Sequence, residues 1–138
     1  MTKVTKVSPS ILSADFGNLE RDIRAMAPAK ADYVHVDVMD GIFVPNITIG
    51  QPVVAAIRKV TELPLDVHLM IDRPIRYVEQ FCKAGANILT VHVEADTEEN
   101  TRKALEIIKG CGVTPAISIK PKTPAEAVLP FLDLCGLI

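Results

Sequence analysis

The chain has no tryptophan, only three cysteines and few aromatic residues of any kind. Cys82, Cys111 and Cys135 are widely separated and form no Cys-x-x-Cys pair. That spacing excludes a disulfide scaffold and a four-cysteine zinc module, and it fits free buried thiols in a reducing cytosol. No apolar run approaches the ~18–20 residues that cross a bilayer. The N-terminal MTKVTKVSPS lacks the apolar stretch of about 7–15 residues that a secretory signal carries, so Asn46-Ile47-Thr48 is read as a chance glycosylation sequon. Charge of one sign is also missing. A net charge of −2 gives no electrostatic footprint for nucleic acid or an anionic membrane. These absences leave a cytoplasmic globular protein without nucleic-acid or membrane partners.

What is present is ample apolar material: 49% hydrophobic against 23% charged residues over 138 positions, read as a single domain spanning 1–138. Folding at this size buries roughly 68–70% of the surface that the unfolded chain exposes. Short β-branched runs alternate with amphipathic stretches. Strands are expected at Val7–Leu12, Tyr33–Val38, Leu65–Ile71, Ile88–Val93 and Thr114–Ile119, with a sixth starting near Leu134. Helices are expected near Gly17–Ala27, Gln51–Val60, Pro74–Ala84, Glu98–Lys109 and Pro124–Leu129. Leu19, Ile23 and Met26 form one apolar stripe. Thr97 can cap a helix whose first turn holds Glu98 and Glu99, and Gly110 and Gly112 fit its end. Thr123-Pro124-Ala125-Glu126 reads as a capping box with proline at the first helical position.

Strand–helix–strand repetition implies parallel strands joined by right-handed crossovers. Eight units at this spacing make a closed (β/α)8 barrel of roughly 200–250 residues. The expected fold is therefore an α/β TIM barrel, truncated after about five βα units plus the start of strand six. The alternative is an open doubly wound sheet, which is disfavoured because no Gly-rich phosphate loop follows the first strand.

The strands themselves favour the barrel. Both faces of a strand in a helix-covered open sheet are apolar, whereas here one face is polar. Residues i and i+2 share a face. His35 and Asp37 oppose Val34, Val36 and Val38; Asp66, His68 and Met70 oppose Val67, Leu69 and Ile71. Thr90, His92 and Glu94 oppose Leu89, Val91 and Val93, Ser118 and Lys120 oppose Ile117 and Ile119, and Ser8 and Ser10 oppose Val7 and Ile11. The polar set converges on the barrel axis, toward the C-terminal strand ends where barrel enzymes keep their sites.

His35-Val36-Asp37 and Asp66-Val67-His68 carry the chemistry. Each pair spans roughly 6.6 Å along its strand, and adjacent strands lie ~4.8 Å apart. Two imidazoles and a carboxylate can meet at one point, a set that suits Zn, Fe, Mn or Co as a divalent cation without choosing among them. A single strand histidine is usually a hydrogen-bonded core residue. A His-x-Asp beside an x-His is harder to dismiss, because an uncompensated buried carboxylate costs several kcal/mol. Asp66 lies deeper and reads as a support or structural residue. His92 fits core packing or pocket lining equally well. Met39 and Met70 fit a pocket floor or plain core.

Four stretches, Ser8-Pro9-Ser10-Ile11-Leu12-Ser13-Ala14-Asp15, His35-Val36-Asp37-Val38-Met39-Asp40-Gly41, Phe43-Val44-Pro45-Asn46 and Asp66-Val67-His68-Leu69-Met70, closely resemble the ribulose-phosphate 3-epimerase family over the whole chain. The resemblance implies a (β/α)8 barrel that interconverts D-ribulose 5-phosphate and D-xylulose 5-phosphate by proton abstraction at C3, through an enediolate that a divalent metal cation stabilises. It implies His35, Asp37 and His68 as metal ligands and Asp37 as the catalytic acid/base. It implies Ser10, His68, Met39 and Met70 as substrate-binding residues. A sugar phosphate is the implied partner, in a homo-oligomer at full length. On the family pattern a second acid/base aspartate and the Gly-rich phosphate loops fall beyond Ile138, so these 138 residues alone are expected to bind metal weakly and to epimerise poorly. The competing readings are a partial barrel without turnover and a sister enzyme such as an allulose-6-phosphate 3-epimerase.

Overall fold

The structure is a computed structural model that describes residues 4–138. Four parallel strands, β1 (Val34–Met39), β2 (Leu65–Met70), β3 (Ile88–His92) and β4 (Thr114–Ser118), pair in the spatial order β1-β2-β3-β4. Spatial order follows chain order without reversal. A doubly wound sheet needs a switch point where the direction changes, whereas crossovers running one way put every helix on one face, as in the wall of a barrel. The expected α/β-barrel arrangement is thus seen, as a four-stranded portion.

The crossover helices are α1 (Leu19–Met26), α2 (Gln51–Arg58), α3 (Val78–Ala84) and α4 (Glu98–Gly110). They cover the valine-rich face, where Val34, Val36, Val67, Leu69, Leu89, Val91 and Ile117 are fully buried. In α4, Thr101, Ala104, Leu105 and Ile108 form the buried stripe at helical spacing. The Thr97 side chain caps its first turn by accepting the Asn100 N–H at 3.2 Å. Its C-terminal end passes through Cys111 to Gly112 at φ 75°. The stripe expected on α1 is present, with Ile23 buried and Leu19 and Met26 packed against the core. No helix among the described residues is long and apolar enough to cross a membrane.

Several boundaries differ from expectation. Val7–Leu12 is not a strand. It runs extended beside β1 and makes one bridge, Ser10 to His35, before Ile11–Ser13 turns into a 3-10 helix. The carbonyls of Val7 and Pro9 accept N–H groups from Asp32, Tyr33 and His35. Pro9 has no N–H to return, and the Ser10 hydroxyl accepts the Leu12 N–H at 3.2 Å, which curls the chain away. The strand expected from Leu134 is a single bridge between Ala116 and Leu137, because the Leu134 and Cys135 N–H groups bond back to the Phe131 carbonyl.

The Gly17–Ala27 and Pro74–Ala84 helices each open with a 3-10 turn, at Phe16–Asn18 and Pro74–Arg76. The capping box at Thr123 does not form. Residues Ala125–Phe131 are 3-10 throughout, with Pro130 inside, which cannot donate an α-helical hydrogen bond. All three cysteines are free; Cys82 and Cys135 are half-buried, while Cys111 is exposed rather than buried.

Gly85 ends α3 at φ 114°, where a Cβ would meet the Arg58 Cγ at 2.7 Å. Arg58 cannot easily retreat, since it bonds Asn87 at 3.0 Å and the Thr61 carbonyl. Gly85→Ala is expected to lower stability by roughly 1–3 kcal/mol. Urea unfolding checks this, and an unchanged midpoint contradicts it.

Candidate metal site

Register builds the site. In the β1–β2 pairing His35 lies opposite Asp66, Asp37 opposite His68, and Met39 opposite Met70. Because alternate residues share a face, these six side chains form two columns on the face away from α1–α4, three pairs deep. The His35–Asp66 pair lies near the start of the strands, and the two methionines cap the C-terminal end.

The middle of this array is compact. One ligand atom each from His35, Asp37 and His68 lies within 4.8 Å of the others. His35 Nε2 is 3.2 Å and His68 Nδ1 is 3.5 Å from the same oxygen, Asp37 Oδ1. The other oxygen, Oδ2, accepts from the Ser10 hydroxyl at 2.5 Å. The Asp37 side chain is only 14% exposed. Two imidazole nitrogens and a carboxylate oxygen around one point form a donor set that fits a divalent cation such as Zn²⁺, Fe²⁺, Mn²⁺ or Co²⁺.

Supporting contacts hold these groups. The second nitrogen of His35, Nδ1, is 2.7 Å from Asp66 Oδ2, which also accepts from Ser8 at 3.0 Å. Asp66 thus backs His35 directly, a carboxylate–histidine pairing of the kind that orients imidazoles at metal sites. Hydrogen bonds to Asp37 and Asp66 raise the His35 pKa from 6.5 to about 9, against the opposing pull of burial. Burial pushes the Asp37 carboxyl up, but the contacts with His35, His68 and Ser10 outweigh it and hold the group well below the usual carboxylate range. Asp66 is lowered the same way, burial being overcome by His35 and Ser8.

The structure also joins His92 to this cluster. Its side chain is buried, its ring stacks on His68 with centroids 4.9 Å apart, and Phe43 packs on it at 5.0 Å. His92 Nε2 is 2.8 Å from His68 Nε2, and His92 Nδ1 is 3.3 Å from Glu94 Oε2. Burial and the nearby His68 lower the His92 pKa. Lys120 lies with its Nζ 3.7 Å from the centre of the Phe43 ring, and it donates to the Phe43 carbonyl at 3.3 Å. Sequence reasoning placed Glu94, Ser118 and Lys120 on this face but missed their link to His68. The available signal was the His92-x-Glu94 spacing, which repeats the His35-x-Asp37 alternation one strand further on.

A parallel sheet winding in one direction, with a cation-suited cluster on its inner face, defines the class: an α/β-barrel protein with a candidate metal centre. Solved structures agree on the fold. A 7,8-dihydropteroate synthase from Vibrio fischeri aligns with a TM-score of 0.60 at 14% identity, covering 94% of this chain and 51% of that one. A mandelate oxidase aligns at 0.61 and 15% identity, covering 85% and 42%. Sequence comparison is more specific. The model of the ribulose-phosphate 3-epimerase family matches residues 6–138, and the chain belongs to that family. The ribulose-phosphate 3-epimerase of Bacillus subtilis is 49% identical over 133 residues, 96% of this chain and 60% of that protein. That of Synechocystis is 49% identical over 138 residues, the whole of this chain and 60% of its own length. The chloroplastic ribulose-5-phosphate-3-epimerase of Arabidopsis thaliana is 48% identical over 132 residues. The chain thus spans about 60% of the first two of these relatives.

The geometry sets a pH signature for the metal-free protein. His35 holds its proton more tightly folded than unfolded. Its contribution to stability is therefore complete below pH 6.5 and lost as pH rises through about 9. The urea midpoint should fall across that window, and His35→Gln should flatten the fall. Zn²⁺ affinity should rise over the same window, because proton and cation compete for one nitrogen. Affinity independent of pH between 6.5 and 9 contradicts the assignment.

Proposed function

We propose that the complete gene product is a divalent-metal-dependent isomerase that interconverts D-ribulose 5-phosphate and D-xylulose 5-phosphate. The reading is supported by family membership together with one observation: His35, Asp37 and His68 converge within 4.8 Å on the inner face of the sheet. In this reading His35 Nε2, Asp37 Oδ1 and His68 Nδ1 hold the cation. When bound, the cation supplies electrostatic stabilisation of the negative charge that develops on the sugar oxygens as the C3 proton leaves.

The side chains divide the remaining work. Asp37 has two oxygens with separate partners. Oδ1 faces the histidines, and Oδ2 is the atom that takes the C3 proton. The Ser10 hydroxyl holds Oδ2 at 2.5 Å and so aims the base, and in this reading it also contacts substrate. Burial raises the basicity of Asp37 toward carbon, against the hydrogen bonds that hold its proton affinity down. Met39 and Met70 close the C-terminal end of the columns with apolar surface, which suits water exclusion around the reacting carbon. His68 contributes to the substrate site as well as to the cation. The ligand is a small sugar phosphate, the assembly a homo-oligomer and the compartment the cytoplasm.

Asp37→Asn tests the role directly. It keeps the shape and the Ser10 hydrogen bond but removes the base. Turnover of ribulose 5-phosphate and exchange of its C3 hydrogen with deuterated solvent should both fall by about 10²–10⁴-fold or more, with an unchanged circular dichroism spectrum. A folded Asp37→Asn protein that still exchanges the C3 hydrogen removes Asp37 from this role. Comparing rates on ribulose 5-phosphate and allulose 6-phosphate identifies the substrate.

A further inference from the structure

We propose that His92 and Glu94 are positioning residues that fix the tautomer of His68, keeping its proton on Nε2 and its Nδ1 lone pair turned toward Asp37. The inference rests on the reading of His35, Asp37 and His68 as cation ligands and adds the part that makes His68 a ligand.

The argument is a chain of hydrogen-bond polarities that starts at a fixed end. Glu94 Oε1 accepts the Lys120 backbone N–H at 2.6 Å. An ionised carboxylate only accepts, here also from the Thr123 side chain, so in the 3.3 Å contact between Oε2 and His92 Nδ1 the imidazole is the donor. In a neutral imidazole one nitrogen donates and the other accepts. With its proton on Nδ1, His92 turns a bare Nε2 toward His68. That atom is 2.8 Å from His68 Nε2, so the proton between the two rings belongs to His68. The Ser118 hydroxyl, 3.3 Å from the same His68 nitrogen, can accept alongside it. Neutral His68 then has no proton on Nδ1, which faces Asp37 Oδ1 at 3.5 Å. A lone pair set against a carboxylate oxygen is repulsive until a cation lies between them. The relay therefore makes a ligand pair out of what would otherwise be an ordinary His–Asp hydrogen bond.

The rings are held for this purpose. His92 is 6% exposed and lies between His68 and Phe43. Lys120 ties both ends, its N–H on Glu94 and its Nζ on the Phe43 carbonyl. His35 reaches the same result by a shorter route, with Asp66 directly on its Nδ1. Each imidazole ligand is thus backed by a carboxylate, one in contact and one through a second ring.

Three variants of the complete gene product test this, with Zn²⁺ as probe and chelator competition as readout. Glu94→Gln is the sharpest. Its amide oxygen must serve the Lys120 N–H, so its NH₂ group faces His92 and reverses the relay, moving the His68 proton to Nδ1. His92→Phe keeps the stacked ring and removes the acceptor. His92→Gln restores an acceptor for His68 and a donor for Glu94. Zn²⁺ affinity should fall about 10–100-fold in Glu94→Gln and His92→Phe and stay near wild type in His92→Gln. Nitrogen-15 NMR of the wild type should show a hydrogen-bond coupling between His68 Nε2 and His92 Nε2, with the His68 proton on Nε2. In Glu94→Gln that proton should appear on Nδ1. Wild-type Zn²⁺ affinity in folded Glu94→Gln and His92→Phe, or a His68 proton on Nδ1 in the wild type, overturns the relay while leaving the cation site standing. Wild-type protein that binds no Zn²⁺ overturns the site itself. If His92→Phe does not fold, the NMR coupling and Glu94→Gln decide.

Discussion

The Asp37 carboxylate is the point on which the inner face depends. It is nearly buried, and every neighbour within reach is a donor or a potential ligand: His35, His68 and Ser10. A carboxylate in that position costs several kcal/mol of lost hydration unless its charge is matched. The match is made by pairing register. Asp37 lies directly across from His68, with His35 two residues below on its own strand. A slip of one residue would swing all of these groups into the helix layer and expose the valines. Site geometry and core burial are therefore enforced by one set of parallel hydrogen bonds, and neither can be changed without the other.

The two faces of the sheet also divide stability from chemistry. On the helix side Val34, Val36, Val67, Leu69, Leu89 and Val91 have no solvent exposure. Each such side chain contributes about 1.5–3 kcal/mol through burial. The opposite face keeps its charges half-buried, where partners can reach them but bulk water screens them weakly. A stiff apolar layer on one side lets three strands hold polar atoms at fixed separations on the other, which side chains carried by loops would not do.

The period-two alternation of strand residues was readable from sequence, because it survives any detail of twist or loop. It identified His35, Asp37, His68, Met39 and Met70 as sharing an inner face and Ser10 as adjoining it, and it separated a barrel wall from an open sheet. Local chemistry blurred the boundaries. Pro9 and Ser10 break the first strand because one lacks a donor and the other diverts a neighbour's. Pro130 keeps the last helical segment in 3-10 form. Contacts between strands three, four and the loop after β1 were out of reach. The approach of His92 to His68, and of Lys120 to Phe43, depends on distances across 24 and 77 residues of sequence that no spacing rule encodes.

Charge explains why these polar groups share one place. Asp37, Asp66 and Glu94 carry three negative charges against the single ammonium of Lys120, so with neutral histidines the cluster is strongly anionic. Without a cation, protons must supply the balance, and the elevated pKa of His35, about 9, reflects that demand. The same field that binds a proton at His35 Nε2 attracts a divalent ion to the same spot with greater charge and more ligands. The two occupants differ in what they require of His68. A proton is satisfied by either tautomer, whereas a metal needs a bare Nδ1. Glu94 and His92 touch neither His35 nor Asp37, so they act on that difference through His68. They bias the cluster toward the cation without adding to its charge-neutralising ligands.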